Sequence, residues 1–297
     1  MQKFYKIIII GNSIENFQIA ENLVSSNLFN VIAGIVDYNY PKAISSKQRN
    51  FLVKHNIKEI SFADIKDLSP DICLSLSYTR KIDLNYLSGC KCLNIHGAIL
   101  PKWRGFSSLC WALLNGENKI GQTLHVVDEE LDNGDIVKVF SIDYDLSYPF
   151  YEARLKINEK VAKELPQVLY DYLQNKIEPI SQKDKLCAYT AKIRFEDSII
   201  KDWNRSSDYF YRLYRIFQKP YGTGLLFEHK NQLYEISELK IFYRSANYNM
   251  VSGAVVNSSA DSIFVKTSDS VVELKGIKPK DKNEYCSFKI GTRLSEN

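Results

Sequence analysis

The fold is decided by the stretch FYKIIIIGNS, residues 4–13. Its centre is a continuous run of β-branched residues, which is typical of a strand that is buried on both faces of a sheet. Gly11 ends the run, and a helical pattern of apolar residues that includes Ile19 and Leu23 follows. The stretch therefore predicts a buried strand, a glycine loop and a helix, which together form one βα unit.

Three further apolar runs predict three more strands, over residues 31–36, 71–77 and 92–95. Strands separated by helix-length segments pair in parallel through right-handed crossovers. The predicted fold class is therefore α/β, with an open, mostly parallel, Rossmann-like sheet and helices on both faces. Ligands of such sheets bind at the carboxyl ends of the strands, so we look for a site in the loops that follow these runs.

The next segment predicts a helix over residues 107–116, a strand over 121–127 and a long helix over 151–175. Pro166 lies inside the long helix and should kink or split it, because proline lacks the backbone N–H that a helix needs.

The chain turns polar over residues 176–188, and we interpret this stretch as a linker. We place the domain boundary near residue 185, which gives domains 1–185 and 186–297. In the second domain Ser206 can cap a helix that ends before Pro220. Short apolar runs then predict a small antiparallel β-rich domain, with strands over 225–227, 239–242, 253–256, 262–265 and 271–274.

The composition is that of a globular protein. The 297 residues carry a formal net charge of +4 at pH 7, and 45% of them are hydrophobic. These values exclude disordered, collagen-like and coiled-coil chains, and the small, evenly spread charge gives no indication of a nucleic-acid partner. No apolar stretch approaches the about 18 residues of a membrane helix. We expect a soluble, cytoplasmic protein without a membrane partner.

The cysteines and histidines do not form a metal-binding pattern. The six cysteines include no C-x-x-C pair, and there are only four histidines. We therefore expect reduced thiols and no metal site.

The loop after the first strand reads GNSIEN, residues 11–16. It lacks the second and third glycines of a dinucleotide-binding fingerprint, so a nicotinamide cofactor is not expected. The backbone N–H groups of Gly11, Asn12 and Ser13 could hold an anion at the start of the helix. The alternative is that the loop only closes the βα turn.

Asn94 and His96 are two residues apart at the end of a predicted strand, so both side chains should point to the same face. An imidazole can take a proton near neutral pH, and an amide N–H can stabilise an oxyanion, which suits acyl transfer. The alternative is a hydrogen-bonded pair in the core.

A carboxylate follows in the stretch LDNGDI, residues 131–136. If Asp132 lies near His96, it would orient the ring and raise its basicity. By itself the stretch is more typical of a turn, and the carboxylate gains its meaning from the combination with Asn94 and His96. We interpret His125, on the preceding strand, as structural.

Three motifs occur in order: N-x-H-(x)4-P-x-x-R-G from Asn94, G-x-T-x-H from Gly121 and L-D-x-G-D-I from Leu131. Together they resemble the signature of the 10-formyltetrahydrofolate-dependent formyltransferases, a family that includes methionyl-tRNA formyltransferases and nucleotide-sugar N-formyltransferases. The resemblance implies that residues 1–185 form the catalytic domain. It also implies possible dimerisation through the C-terminal domain.

The resemblance makes Asn94, His96 and Asp132 the catalytic set and N10-formyltetrahydrofolate the formyl donor, without a metal. Whether His96 acts as a base or as a charged stabiliser of the oxyanion stays open. The residues expected to bind the formyl-folate are Ser77, Tyr78, Thr79, Arg80, Ile82, Val127, Asp128, Leu131 and Asp132.

The residues assigned to the acceptor substrate are Gly11, Asn12, Ser13, Arg104, Gly105, Phe150, Tyr151 and Tyr221. The guanidinium of Arg104 suits a phosphate or could orient a loop, and its alternative is a salt bridge. The ring of Tyr221 could stack on a nucleotide base, and its alternative is a packing anchor.

The resemblance favours a nucleotide-linked amino sugar as acceptor, because the tRNA enzymes carry basic surfaces for phosphate contacts. Residues 147–151 also look more like the sugar enzymes. The implied acceptor is dTDP-4-amino-4,6-dideoxyglucose, and its product would enter bacterial surface polysaccharide such as the O-antigen of lipopolysaccharide. Two alternatives are a methionyl-tRNA formyltransferase and a hydrolase of formyl-folate.

Overall fold

The computed structural model describes residues 4–11, 16–87, 89–146, 148–183, 187–220, 222–242 and 250–294. The chain folds into two compact units. The first unit comprises Met1–Trp111, Lys119–Tyr144 and Glu152–Ala191. The second unit comprises Ala112–Asn118, Asp145–Tyr151 and Lys192–Asn297. The boundary predicted near residue 185 lies outside the described residues.

The strands of the first unit are β1 Tyr5–Ile10, β2 Phe29–Ile35, β3 Lys58–Glu59, β4 Ile72–Leu76, β5 Lys91–His96, β6 Trp103–Gly105, β7 Lys119–Val126, β8 Ile136–Asp143 and β9 Ala188–Thr190. Seven of them form a sheet in the order β3-β2-β1-β4-β5-β7-β8, and β6 pairs in parallel with β9. The strands from β3 to β5 in this order run parallel, and β7 and β8 are antiparallel to their neighbours. The predicted mostly parallel sheet is confirmed.

Among the described residues before the second unit's own helix, five α-helices are seen: α1 Phe17–Val24, α2 Lys42–Lys54, α3 Ile65–Leu68, α4 Ser108–Leu114 and α5 Phe150–Leu173. Residues of both units contribute to α4 and α5. Within the described residues, no helix combines the length and the apolar character that crossing a membrane requires.

The four isoleucines of β1 are at most 2% exposed, as expected for a strand with both faces covered. The chain continues from β1 to β2 on one side and later returns to β4 on the other. Gly11 ends β1 in the left-handed region with φ +67°, and a Cβ there would lie 3.2 Å from the Cα atom of Tyr78. Glycine therefore lets the end of β1 approach the loop after β4 at the point where ligands bind in this class of sheet.

Pro166 does not split α5, which runs without a break from Phe150 to Leu173. A proline at this position removes the hydrogen bond that the carbonyl of Ala162 would accept within the helix. The side-chain amide of Asn22, in α1, donates to that carbonyl at 2.9 Å. A tertiary contact thus replaces the missing helical hydrogen bond, which the sequence pattern did not predict.

The second unit contains α6 Ser207–Phe217 and the strands β10 Ile199–Ile200, β11 Leu225–His229, β12 Gln232–Ile236, β13 Glu238–Phe242, β14 Val255–Ser258, β15 Ser262–Lys266, β16 Val271–Lys275 and β17 Lys278–Pro279. The Ser206 side chain accepts a hydrogen bond from the Tyr209 N–H, which confirms the predicted cap. The strands form two sheets, β10-β11-β12-β17 and β13-β16-β15-β14. All pairings are antiparallel except that of β10 with β11, so the predicted β-rich domain is confirmed.

We expect Asn22→Ala to lower the free energy of unfolding by about 1 kcal/mol, the usual net contribution of one hydrogen bond. The same change should cost less in a Pro166→Ala background, because the backbone N–H restored at position 166 can donate to Ala162 instead. Urea unfolding of the four chains measures both costs. Equal costs in the two backgrounds would show that the Asn22 contact does not compensate for the proline.

Candidate active site

The site is built on two neighbouring antiparallel strands, β5 and β7. In their register Asn94 lies opposite His125, and His96 lies opposite Thr123. Because side chains alternate between the faces of a sheet, these four residues share one face. The predicted placement of Asn94 and His96 on one face is therefore confirmed, at the carboxyl end of β5.

His96 is held at both ring nitrogens. Its Nδ1 atom lies 3.2 Å from Oδ2 of Asp132, and its Nε2 atom lies 2.6 Å from the backbone carbonyl oxygen of Trp103. Both partner atoms are acceptors, so each contact is a hydrogen bond when that ring nitrogen carries a proton. The ring is 5% exposed, so its orientation is fixed by these contacts and by packing.

His125 belongs to the same cluster. Its Nε2 atom lies 3.1 Å from the amide nitrogen of Asn94 and 3.5 Å from Oδ1 of Asp132, and its Nδ1 atom lies 2.8 Å from the Val126 carbonyl oxygen. The interpretation of His125 as structural did not anticipate the contact with two members of the predicted catalytic set. The sequence did contain a signal for this contact. Thr123 and His125 are two residues apart on a predicted strand, as are Asn94 and His96, so side chains of the two strands could share one face if the strands pair.

Asp132 is a buried carboxylate, 8% exposed. Burial alone would raise the pKa of Asp132, but hydrogen bonds and charge interactions with His125 and His96 outweigh it and hold that pKa well below its usual range. The Gly105 N–H also donates to Oδ2 of Asp132 at 2.9 Å. The carboxylate is therefore ionised and fully engaged at neutral pH.

Arg104 is 4% exposed and lies beside this cluster without an ion pair in the part of the chain that the structure describes. Its Nη2 atom donates to Oε1 of Gln182 at 3.1 Å, and its guanidinium lies 5.9 Å from the centre of the Tyr189 ring. Gln182 in turn donates to the backbone of the turn that carries Asp132. The sequence analysis considered a phosphate ligand, a loop to be oriented and a salt bridge as roles for Arg104. The contacts through Gln182 are those expected of a residue that orients a loop.

Gln182 was missed by the sequence analysis. It lies in the polar stretch interpreted as a linker, yet it is 1% exposed. The neighbouring Ile180 pairs with Ile136 at the start of β8. This part of the polar stretch therefore belongs to the packed first unit, and interpreting it as a linker was wrong, because polar composition does not reveal a buried hydrogen-bonded amide.

The loop after β4, residues 77–80, is held from two sides. The Tyr40 hydroxyl donates to the Ser77 carbonyl oxygen at 2.9 Å. The buried carboxylate of Asp37 accepts hydrogen bonds from both the N–H and the hydroxyl of Thr79, each at 2.7 Å. Two residues that follow β2 thus fix a loop that follows β4, at the edge where the sequence predicted formyl-folate contacts.

The other residues predicted to contact the formyl-folate differ in exposure. The Arg80 guanidinium lies 5.4 Å from the centre of the Tyr78 ring. Ile82 is buried in an apolar cluster against which Val127 also packs. Leu131, in contrast, is half exposed.

Among the residues predicted to bind the acceptor substrate, Phe150 and Tyr151 lie at the start of α5 in the second unit. Phe150 is 7% exposed. Gly105 lies at the end of β6 and contacts Asp132 through its backbone. Three predicted residues lie outside the described residues: Asn12, Ser13 and Tyr221.

Comparison with known families agrees with this fold. A family profile described as "Formyl transferase" matches residues 31–169, and one described as "Formyl transferase, C-terminal domain" matches residues 192–287. The two matches together span most of the chain. This chain therefore belongs to the formyl transferase family, and the predicted enzyme class is confirmed.

Two curated relatives illustrate the range of the family. The bifunctional polymyxin resistance protein ArnA of Wigglesworthia glossinidia brevipalpis is 33% identical over 221 residues, which cover 68% of this chain and 33% of ArnA. The chain thus spans one third of the length of that relative. Methionyl-tRNA formyltransferase of Sulfurimonas denitrificans is 26% identical, with 98% of each chain covered.

Among solved structures, the chain is similar to WlaRD, a sugar 3N-formyltransferase crystallised in the presence of dTDP and 5-N-formyl-THF. The TM-score is 0.70 at 21% sequence identity, and the match covers 94% of this chain and 99% of WlaRD. At this identity the likeness establishes the shared fold.

Replacing Asp132 by asparagine should lower the free energy of unfolding near neutral pH by about 2 kcal/mol, because hydrogen bonds to a charged group are lost. The pKa of Asp132 is lower in the folded chain than its ordinary value of 3.8. The contribution of the carboxylate is therefore complete above that value and declines as the pH falls below it. Urea unfolding from neutral to acidic pH should show a difference between the two chains that shrinks in acid.

The matched control is Asp135→Asn, which changes an exposed aspartate of the same loop and should have little effect at any pH. A destabilisation by Asp132→Asn that did not change with pH would contradict the assignment of an ionised, stabilising carboxylate.

Proposed function

We propose that this chain transfers the formyl group of N10-formyltetrahydrofolate to the amine of a nucleotide-linked amino-dideoxyhexose, dTDP-4-amino-4,6-dideoxyglucose. The observation that carries the proposal is the cluster of Asn94, His96 and Asp132 at the carboxyl end of β5, in a member of the formyl transferase family. An amide donor, an imidazole and a buried carboxylate are groups that suit an acyl transfer to an amine.

The proposed reaction begins when the acceptor amine attacks the formyl carbon. A C–N bond forms, the carbonyl oxygen becomes an oxyanion, and the amine gives up a proton. Collapse of the intermediate breaks the bond to N10 of the folate, and N10 takes a proton. The products are a formamide on the sugar and tetrahydrofolate.

The proposed role of His96 is proton exchange with the substrate through Nε2. Its other nitrogen, Nδ1, is held by Asp132, which fixes the orientation of the ring. Nε2 must then release the Trp103 carbonyl oxygen, which it contacts at 2.6 Å. Proton transfer by a positioned side chain contributes about 10²- to 10⁴-fold to the rate.

The proposed role of Asn94 is to stabilise the oxyanion. A primary amide has two N–H groups, and the contact with His125 at 3.1 Å engages one of them. The second N–H has no hydrogen-bond partner among the described residues and is available to the substrate. A single donor of this kind contributes about 10²- to 10³-fold to the rate of acyl transfer.

The proposed formyl donor is supported by the family and by the relative crystallised with 5-N-formyl-THF. We propose that the donor lies between residues 77–82 and residues 127–132. The first of these loops is fixed by Asp37 and Tyr40, so it would be ordered before the folate binds, which lowers the entropic cost of binding.

The identity of the acceptor substrate is the more specific part of the proposal. A sugar nucleotide is supported by the likeness to WlaRD over nearly the whole of both chains and by the small net charge of +4. Methionyl-tRNA is the second candidate, because a methionyl-tRNA formyltransferase matches 98% of the sequence. Dimerisation and a place in O-antigen synthesis stay predictions.

The test offers 10-formyltetrahydrofolate with dTDP-4-amino-4,6-dideoxyglucose, its 3-amino isomer or methionyl-tRNA, and measures the product masses. We expect the 4-amino sugar nucleotide to gain one CHO in place of one H. If only the 3-amino isomer is formylated, the acceptor amine of the natural substrate is at C3 and not at C4. Formyl-methionyl-tRNA as the only product would overturn the acceptor, and formate release without transfer would indicate a hydrolase.

In the same assay, His96→Asn should lower kcat by at least about 100-fold, because the substrate amine loses its proton acceptor. The chain should remain folded, since asparagine fits the space of the ring and can bond to Asp132. Unchanged turnover in the folded variant would overturn the role of His96.

A further inference from the structure

Both N–H groups of the Gln182 side-chain amide donate hydrogen bonds. Its Nε2 atom donates to the carbonyl oxygen of Asp132 at 3.1 Å and to that of Gly134 at 2.6 Å. Its Oε1 atom accepts from the Arg104 guanidinium at 3.1 Å. Because the residue is 1% exposed, none of these bonds competes with bulk water, and each fixes the position of a backbone group.

The turn that receives these bonds is conformationally demanding. Asp132 has φ +54°, in the left-handed region that non-glycine residues seldom adopt. Gly134 packs so closely that a Cβ there would lie 1.9 Å from the Val126 carbonyl oxygen. A backbone conformation of this kind is stable only when surrounding contacts stabilise it. Gln182 supplies two such contacts, the hydrogen bonds to the carbonyl oxygens of Asp132 and Gly134.

The direction of the Asp132 carboxylate depends on this turn. Its Oδ2 atom must reach both Nδ1 of His96 at 3.2 Å and the Gly105 N–H at 2.9 Å. Rotation of the Asp132 backbone would swing the carboxylate away from both partners. Among the described residues, the hydrogen bonds of the Gln182 side chain go to backbone carbonyl groups of the turn and to the Arg104 side chain.

We propose that Gln182 is a positioning residue for formyl transfer: its amide clamps the Asp132 and Gly134 carbonyl groups and so keeps the Asp132 carboxylate on His96. The expected effect on the rate rests on the proposed function, whereas the contacts of the Gln182 amide with the turn do not. Its contribution is orientation, since a displacement of about 1 Å in a catalytic group can cost about 100-fold in rate.

A competing explanation is that Gln182 only satisfies the buried guanidinium of Arg104. The two explanations differ in the atom of the Gln182 amide that is important. A clamp on the turn needs the Nε2 donor, whereas a partner for Arg104 needs only the Oε1 acceptor. Glutamate keeps the shape of glutamine and would bind Arg104 more strongly as an ion pair, but it has no N–H to donate to the turn. Gln182→Glu therefore separates the two explanations, and the new ion pair favours folding of the variant.

The experiment compares the full chain with Gln182→Glu and Gln182→Met. The control is Gln122→Met, which removes a hydrogen bond of 2.7 Å from Gln122 to Asn158, a residue of α5. The first readout is the Nδ1 proton resonance of His96 in NMR spectra, assigned by its loss in His96→Asn. The second readout is kcat for formyl transfer.

We expect both Gln182 variants to shift or broaden the His96 Nδ1 proton resonance and to lower kcat by about 10- to 100-fold. Gln122→Met should leave both readouts at the wild-type values. A wild-type resonance and kcat in Gln182→Glu would overturn the proposal and leave Gln182 as a partner of Arg104. If no acceptor is formylated, the proposed function fails, and the resonance alone still decides whether Gln182 holds the carboxylate.

Discussion

The buried charge of Asp132 is the constraint on which the rest of the site depends. An ionised carboxylate that is removed from water without partners costs several kcal/mol, so the fold must bring donors to it. His96 on β5 and the Gly105 N–H on β6 supply donors, and His125 on β7 lies 3.5 Å from the carboxylate. The positions of β5 and β6 therefore bring hydrogen-bond donors to a single negative charge, and the register of β5 and β7 places His125 beside it.

The same constraint explains why the site extends beyond the residues that carry the chemistry. The carboxylate can face His96 only if the Asp132 turn keeps its left-handed conformation, and the contacts of Gln182 hold that turn. At the neighbouring loop, Asp37 fixes Thr79 in a similar way. Side chains without a role in the reaction thus orient both loops, which is the usual means by which a site gains precision.

Sequence patterns were sufficient for the regular elements because each strand and helix leaves a local periodicity. The run of isoleucines in β1, the cap at Ser206 and the shared face of Asn94 and His96 were all predicted correctly. The errors occurred where a distant contact overrides the local pattern. Pro166 does not split α5, because Asn22 replaces the missing hydrogen bond, and part of the polar stretch interpreted as a linker carries the buried Gln182.

The sequence by itself determined the class of fold, the family and the three residues expected to carry the chemistry, because periodicity and motif spacing are local properties. Only the tertiary structure decided that His125 and Gln182 join the cluster and that Arg104 donates to the side-chain amide of Gln182. The physical reason is that hydrogen bonds and buried charges are satisfied in space. Residues 50 positions apart in the chain, such as Asp132 and Gln182, meet only when the sheet and its loops have folded.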